Sequence, residues 1–205
     1  MQAIDADGHI VEKDKDIRSR LPEPYSKRTG GLMPGTGLDT NLGGQLGGLE
    51  NNDIPTRLRD MDREGIETSV LFPTSSFALT KLIERDFAVA YARAYNDFIA
   101  DVCRESPRLK GIGLVAFQDV KAAVQETNRA ITKLGLAGIA VASQNMKEHL
   151  GSETFWPIYE ETSGSMCRFV FTTGAKARRA MSVSIVFSTC IRSAVPWRPS
   201  FNLSV

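Results

Sequence analysis

The chain has 205 residues, 25 of them basic and 24 acidic, for a formal net charge of +1. At 42% hydrophobic and 24% charged, the composition is that of a globular domain with a sizeable core, which excludes disordered and fibrous classes. No apolar run reaches the ~18 residues of a membrane span, and the opening MQAIDADGHI has two acids where a secretory signal would be basic.

Gln2–Ile10 reads as a short strand, with Ala3, Ile4, Ala6 and Ile10 around Asp5 and Asp7. Residues 11–52 show no sustained period and are rich in glycine, proline and charge, with glycine pairs at 30–31, 43–44 and 47–48. No strand precedes those glycines and no GKS or GKT follows, so the segment reads as a loop and not as a phosphate cradle. Asp53 is placed to cap a helix with Pro55 in its first turn, Leu58 and Met61 on one face, and Gly65 at its end. Thr68–Phe72 reads as a buried strand closed by Pro73. Apolar residues at three- and four-residue steps from Leu79 to Val102 predict one long helix over about Phe77–Glu105, stopped by Pro107. Leu109–Phe117 is an apolar strand, and Asp119 caps a helix running to Leu134, with Gly135 as its terminator. Ala137–Ala142 is a further buried strand, followed by a short helix at Phe155–Glu161.

Strands that are apolar on both faces, separated by amphipathic helices, imply an α/β fold with a parallel sheet. The spacing of the units matches a (β/α) barrel. The expected architecture is therefore a truncated TIM-like barrel of about four to five βα units out of eight, with an irregular C-terminal tail. An open doubly wound sheet ranks second, because the first βα turn lacks GxGxxG.

In a barrel of this kind the chemistry sits at the C-terminal ends of the strands. The first strand ends Asp5-Ala6-Asp7-Gly8-His9-Ile10-Val11-Glu12. Alternate residues of a strand share a face, so Asp7 and His9 can look into the barrel mouth together. A carboxylate oxygen and a neutral imidazole nitrogen both suit zinc or a similar divalent ion. Gly8 between them is read as room for a metal or substrate to approach the backbone.

These residues also carry a resemblance. IDADGHIVE at 4–12 and RLRDMDREGIETSVLFPT at 57–74 resemble the amidohydrolase-related (amidohydrolase 2) family of metal-dependent (β/α)8 barrels. AYNDFIADVC at 94–103, RLKGIGLVAFQD at 108–119 and LGLAGIAV at 134–141 continue the likeness in order, over roughly residues 2–162. The family contains hydrolases of C–N or C–O bonds and nonoxidative decarboxylases. Its usual first-strand motif is HxH; the second histidine maps onto His9, and Asp7 stands in the place of the first. The resemblance implies a divalent metal, most readily zinc, at Asp7 and His9, and substrate contact by Glu12. It also implies histidines at the ends of the fifth and sixth strands and an aspartate on the eighth. The one other histidine is His149, after the fourth strand, and it reads as a surface residue.

The balanced charge is unevenly distributed. Residues 1–162 carry all 24 acids and a net charge of −5, whereas residues 163–205 carry six basic residues and no acid. A genuine basic tail for nucleic acid or anionic lipid is one explanation, and a change of reading frame at this point is the favoured one. Read from the third base of each codon, a permitted translation begins GLDVPFRVHNRRE, ends its strand in VH as the fifth family strand should, and puts a second histidine near the expected sixth strand. The division is thus 1–162 as barrel and 163–205 as an aberrant basic tail, in which MCRFVF at 166–171 is the one strand-like run.

The leading function is a metal-dependent hydrolase in which the ion activates water. The alternatives are a decarboxylase of the same family, in which the ion holds the substrate carboxylate, and an inactive barrel fragment. The expected partner is a small-molecule substrate, with no nucleic acid and no membrane, and self-association is left open. The tail's six dispersed basic residues and its aromatics show no stacking-platform spacing. Cys103, Cys167 and Cys190, with no CxxC, fit a reduced cytoplasmic setting.

Overall fold

The structure, a computed structural model, describes residues 3–34, 53–142, 146–164 and 168–172. Five strands form one parallel sheet in the order β1-β2-β3-β4-β5: Ala3–Ile10, Ile66–Pro73, Leu109–Leu114, Gly138–Ala142 and Arg168–Thr172. Spatial order follows chain order, the arrangement of successive units around a barrel wall. Helices α2 (Ile54–Glu64), α3 (Arg85–Arg104), α4 (Val120–Thr132) and α5 (Trp156–Gly164) connect the strands. A short α1 (Asp14–Arg18) and a 3-10 turn at Tyr25–Lys27 lie within the segment read from sequence as loop.

The local signals that set the boundaries are physical ones. Asp53 accepts from the Thr56 amide and caps α2, and Asp119 accepts from the Ala122 amide and caps α4. Gly65 and Gly135, both at φ 70°, make the left-handed turns that follow α2 and α4. The core lies between the sheet and its helices. Tyr91, Tyr95 and Ile99 of α3, Leu71 of β2 and Ile139 of β4 are fully buried within it.

The long helix expected over Phe77–Glu105 is two elements. A 3-10 helix spans Ser75–Lys81, and α3 begins only at Arg85. The break is held by partners distant in sequence. Gln118 Nε2 donates to the carbonyls of Leu79 (2.8 Å) and Leu82 (3.0 Å), taking the acceptors that a continuous helix would use. Ile83, expected on the buried face, is 93% exposed.

A buried polar network joins α3, α4 and the end of β3. The Asn96 side chain bonds both backbone groups of Leu114, donating to its carbonyl at 2.8 Å and accepting from its amide at 2.7 Å. Its amide also donates to Glu126 at 2.7 Å. Arg129 closes the network on Glu126 and Asp97. With each polar group satisfied, the network fixes the register of two helices on the sheet.

Candidate metal centre

The site is built at the C-terminal end of β1, where the strand is irregular. Its register against β2 shifts between Asp5 and Gly8, which is the signature of a bulge. Asp5 fixes that bulge: one carboxylate oxygen accepts from Ser69 Oγ at 2.7 Å and the other from the Asp7 amide at 3.1 Å. Asp5 was not singled out from sequence, because its partner lies 64 residues away.

Past the bulge the strand alternates, with Asp7 exposed, Gly8 buried and His9 exposed. Asp7 and His9 therefore share a face, and Asp7 Oδ1 lies 3.9 Å from His9 Nε2. Two donors each ~2.1 Å from one ion stand at most about 4.2 Å apart, so a single cation can take both. Gly8 points the other way. A Cβ there would meet Ser69 Oγ at 2.5 Å and the Val70 carbonyl at 2.9 Å. The glycine thus makes room for β2 and not, as read from sequence, for a metal or substrate.

His9 is oriented by the end of β2. Its Nδ1 lies 2.9 Å from the Pro73 carbonyl and 3.3 Å from Thr74 Oγ1. A carbonyl can only accept, so Nδ1 carries the proton and Nε2 presents its lone pair toward Asp7. Arg57 of α2 holds the strand end by donating to the His9 carbonyl at 2.6 Å. Although its side chain is 42% accessible, partial desolvation of the ring lowers the His9 pKa below the usual imidazole value, and the negative charge of Asp7 opposes this in part. The direction of this shift favours the neutral ring, the form that binds metal. The rings of Phe72 and Phe77, 6.1 and 6.2 Å away, form an apolar wall on this side of the imidazole.

Glu12 is not drawn into the mouth. It is 7% exposed, and its two carboxylate oxygens accept from the amides of Thr74, Ser75 and Ser76. Burial raises its pKa, and these hydrogen bonds pull the other way. In this structure the Glu12 lone pairs are taken up by backbone amides of the turn after β2. His149 is exposed in the segment after β4. Among the described residues, no group of three or more His, Cys, Asp or Glu is placed to hold a metal. Asp7 and His9 have the right donor chemistry and approach, and they supply two positions of a coordination sphere.

Comparison with known proteins bears on the family and the fold. The family model described as Amidohydrolase matches residues 4–187. That match runs beyond residue 162, where the sequence resemblance was expected to stop, and it takes in β5. Over 122 residues the chain is 36% identical to the gamma-resorcylate decarboxylase of Rhodococcus jostii (strain RHA1), covering 59% of this chain and 35% of that protein. It is 31% identical over 110 residues to the 2-amino-3-carboxymuconate-6-semialdehyde decarboxylase of Dictyostelium discoideum, covering 53% and 30%. Among solved structures, the 5-carboxyvanillate decarboxylase LigW of Sphingomonas paucimobilis matches with TM-score 0.64 at 20% identity, over 83% of this chain and 51% of that one. A dihydroxybenzoic acid decarboxylase of Polaromonas sp. JS666, with bound manganese and 2-nitroresorcinol, matches with TM-score 0.61 at 22% identity, over 84% and 50%. At these identities the structural likeness shows the fold: a parallel half-barrel wall with its helices. The chain spans about a third of the curated relatives' length and half of the solved chains.

Proposed function

The chain belongs to the amidohydrolase family, and on that premise we propose that it carries the first-strand part of the metal site of a nonoxidative decarboxylase. The observation that carries this reading is the 36% identity to a gamma-resorcylate decarboxylase. The decarboxylase takes precedence over the hydrolase expected from sequence, because the curated relatives are decarboxylases. A divalent cation is retained as the cofactor. Manganese replaces zinc as the ion to test first, since two of the solved relatives hold manganese.

The proposed substrate class is a hydroxylated aromatic carboxylate. Its ring–carboxylate bond breaks, carbon dioxide leaves, and a proton takes the vacated position. When bound, the cation would anchor the carboxylate and a neighbouring oxygen and withdraw charge from them. Asp7 would hold it with a carboxylate oxygen, and His9 with the Nε2 lone pair that the Pro73 carbonyl leaves free. The rings beside His9 offer an apolar surface that keeps water from that side.

The test is direct. Purified protein is incubated with Mn²⁺ and 2,6-dihydroxybenzoate, following carbon dioxide release, with an anilide and a lactone in parallel. The expected result is turnover of the benzoate that His9→Ala abolishes. Turnover of the anilide or lactone alone returns the hydrolase. A second reading, an inactive barrel fragment, draws on the two-donor site, since catalytic zinc usually has three protein ligands. Absence of both metal and turnover would favour it. The same proposal takes 1–162 as barrel in the correct frame and 163–205 as its out-of-frame continuation.

A further inference from the structure

We propose that Glu12 is a positioning residue that fixes the metal-binding tautomer of His9 by orienting the single peptide group between Pro73 and Thr74. The two ends of that peptide make the two contacts in question. Its N–H, on Thr74, points to the Glu12 carboxylate at 3.1 and 3.2 Å. Its C=O, on Pro73, points to His9 Nδ1 at 2.9 Å. A trans peptide is planar, with its N–H and C=O directed oppositely, so a carboxylate that holds one end aims the other. Glu12 also takes the Ser75 amide at 2.9 Å and the Ser76 amide at 3.3 Å, which anchors the start of the 3-10 helix on the same carboxylate.

The β-ladder does not do this work. Pairing of β1 with β2 ends at Ile10 and Pro73, one peptide short of the Thr74 amide. Glu12, two residues beyond the last paired residue of β1, extends the grip across that gap. Were the peptide to turn over, its N–H would face His9 Nδ1. Nδ1 would then have to accept, the ring proton would move to Nε2, and the lone pair beside Asp7 would be lost. A buried glutamate that touches no substrate thus decides whether the histidine can bind an ion. Residues behind metal ligands commonly act in this way, and their removal lowers affinity by about 10–100-fold.

The consequence for metal rests on reading His9 as a ligand, whereas the tautomer itself can be read without metal. The experiment is a long-range ¹H–¹⁵N correlation spectrum of the metal-free protein at pH 8, with Mn²⁺ titration calorimetry in parallel. The chain has two histidines, so His149→Gln assigns the signals. The wild type is expected to show the Nδ1–H form of His9. Glu12→Ala should shift it toward the Nε2–H form and weaken Mn²⁺ binding about tenfold or more, and Glu12→Gln, which keeps one acceptor, should fall between them. A folded Glu12→Ala that retains the wild-type tautomer overturns the proposal. So does failure of both variants to fold, which would make Glu12 a general support. A tautomer shift in a protein that never binds Mn²⁺ would leave the clamp standing and remove the metal reading instead.

Discussion

Gly8 shows how much the site depends on a side chain that is missing. Its neighbours Asp7 and His9 face the mouth only because the residue between them can lie flat against β2. The contacts waiting for a Cβ are Ser69 Oγ at 2.5 Å, Asp5 Oδ2 at 2.7 Å and the Val70 carbonyl at 2.9 Å. Gly8→Ala is therefore expected to destabilise the fold by about 1–3 kcal/mol, as overpacking does, measured by urea unfolding. Adding Ser69→Ala should recover part of the loss. Full recovery would mean that the backbone carbonyl is not the limit, and no loss in the single variant would remove the argument. Sequence made Asp7 and His9 legible, because a period of two needs only local spacing. It did not show what Gly8 and Glu12 touch, because their partners at 69–70 and 74–76 belong to another strand and its turn.

At the scale of elements, the boundaries with a local chemical cause were the readable ones. Asp53, Gly65, Asp119 and Gly135 act within a few residues of their own positions, and the structure uses them as the spacing predicts. The break between the 3-10 helix and α3 had no such local mark, since Gln118 imposes it from the turn between β3 and α4. The joint between α3 and α4 was equally hidden. Glu126 is 4% exposed and carries its charge into the core, where Arg129 meets both its oxygens at 2.8 Å. The hydrogen bonds to Glu126 raise the Arg129 pKa further, so the guanidinium stays charged. Arg129→Met leaves a buried carboxylate with only part of its compensation. The expected cost is about 3 kcal/mol, the low end for a broken buried pair, because Asn96 still donates to it. Replacing both partners, as Arg129→Met with Glu126→Leu, should cost less than the single change, since the charges left without their partner, Asp97 and Arg93, are solvent-accessible and no buried one remains. If the double variant is the less stable of the two in urea, the network does not work by charge compensation.

For the whole molecule, the sheet and the charge distribution bear on the same segment. β5 lies at Arg168–Thr172, parallel to β4, with Val141 opposite Phe171 and Ala142 opposite Thr172. It falls inside the stretch of 43 residues that has no acid. In the alternative reading frame the histidine of the VH pair spans codons 171 and 172, the C-terminal end of this strand. All five strands run in parallel, so that end lies on the same rim as His9. A shifted frame would therefore put a third donor on the rim where the described residues offer two. The family match in the present frame already runs to residue 187, inside this stretch, so a corrected frame has to carry the match beyond that point. The expected outcome of resequencing codons 158–170 is a single base gained or lost. The protein expressed from the corrected gene should bind Mn²⁺ more tightly than the present chain, by calorimetry on both. An intact frame in independent reads ends this reading. Equal affinity of the two proteins would show that the histidine at the end of β5 adds nothing to the site.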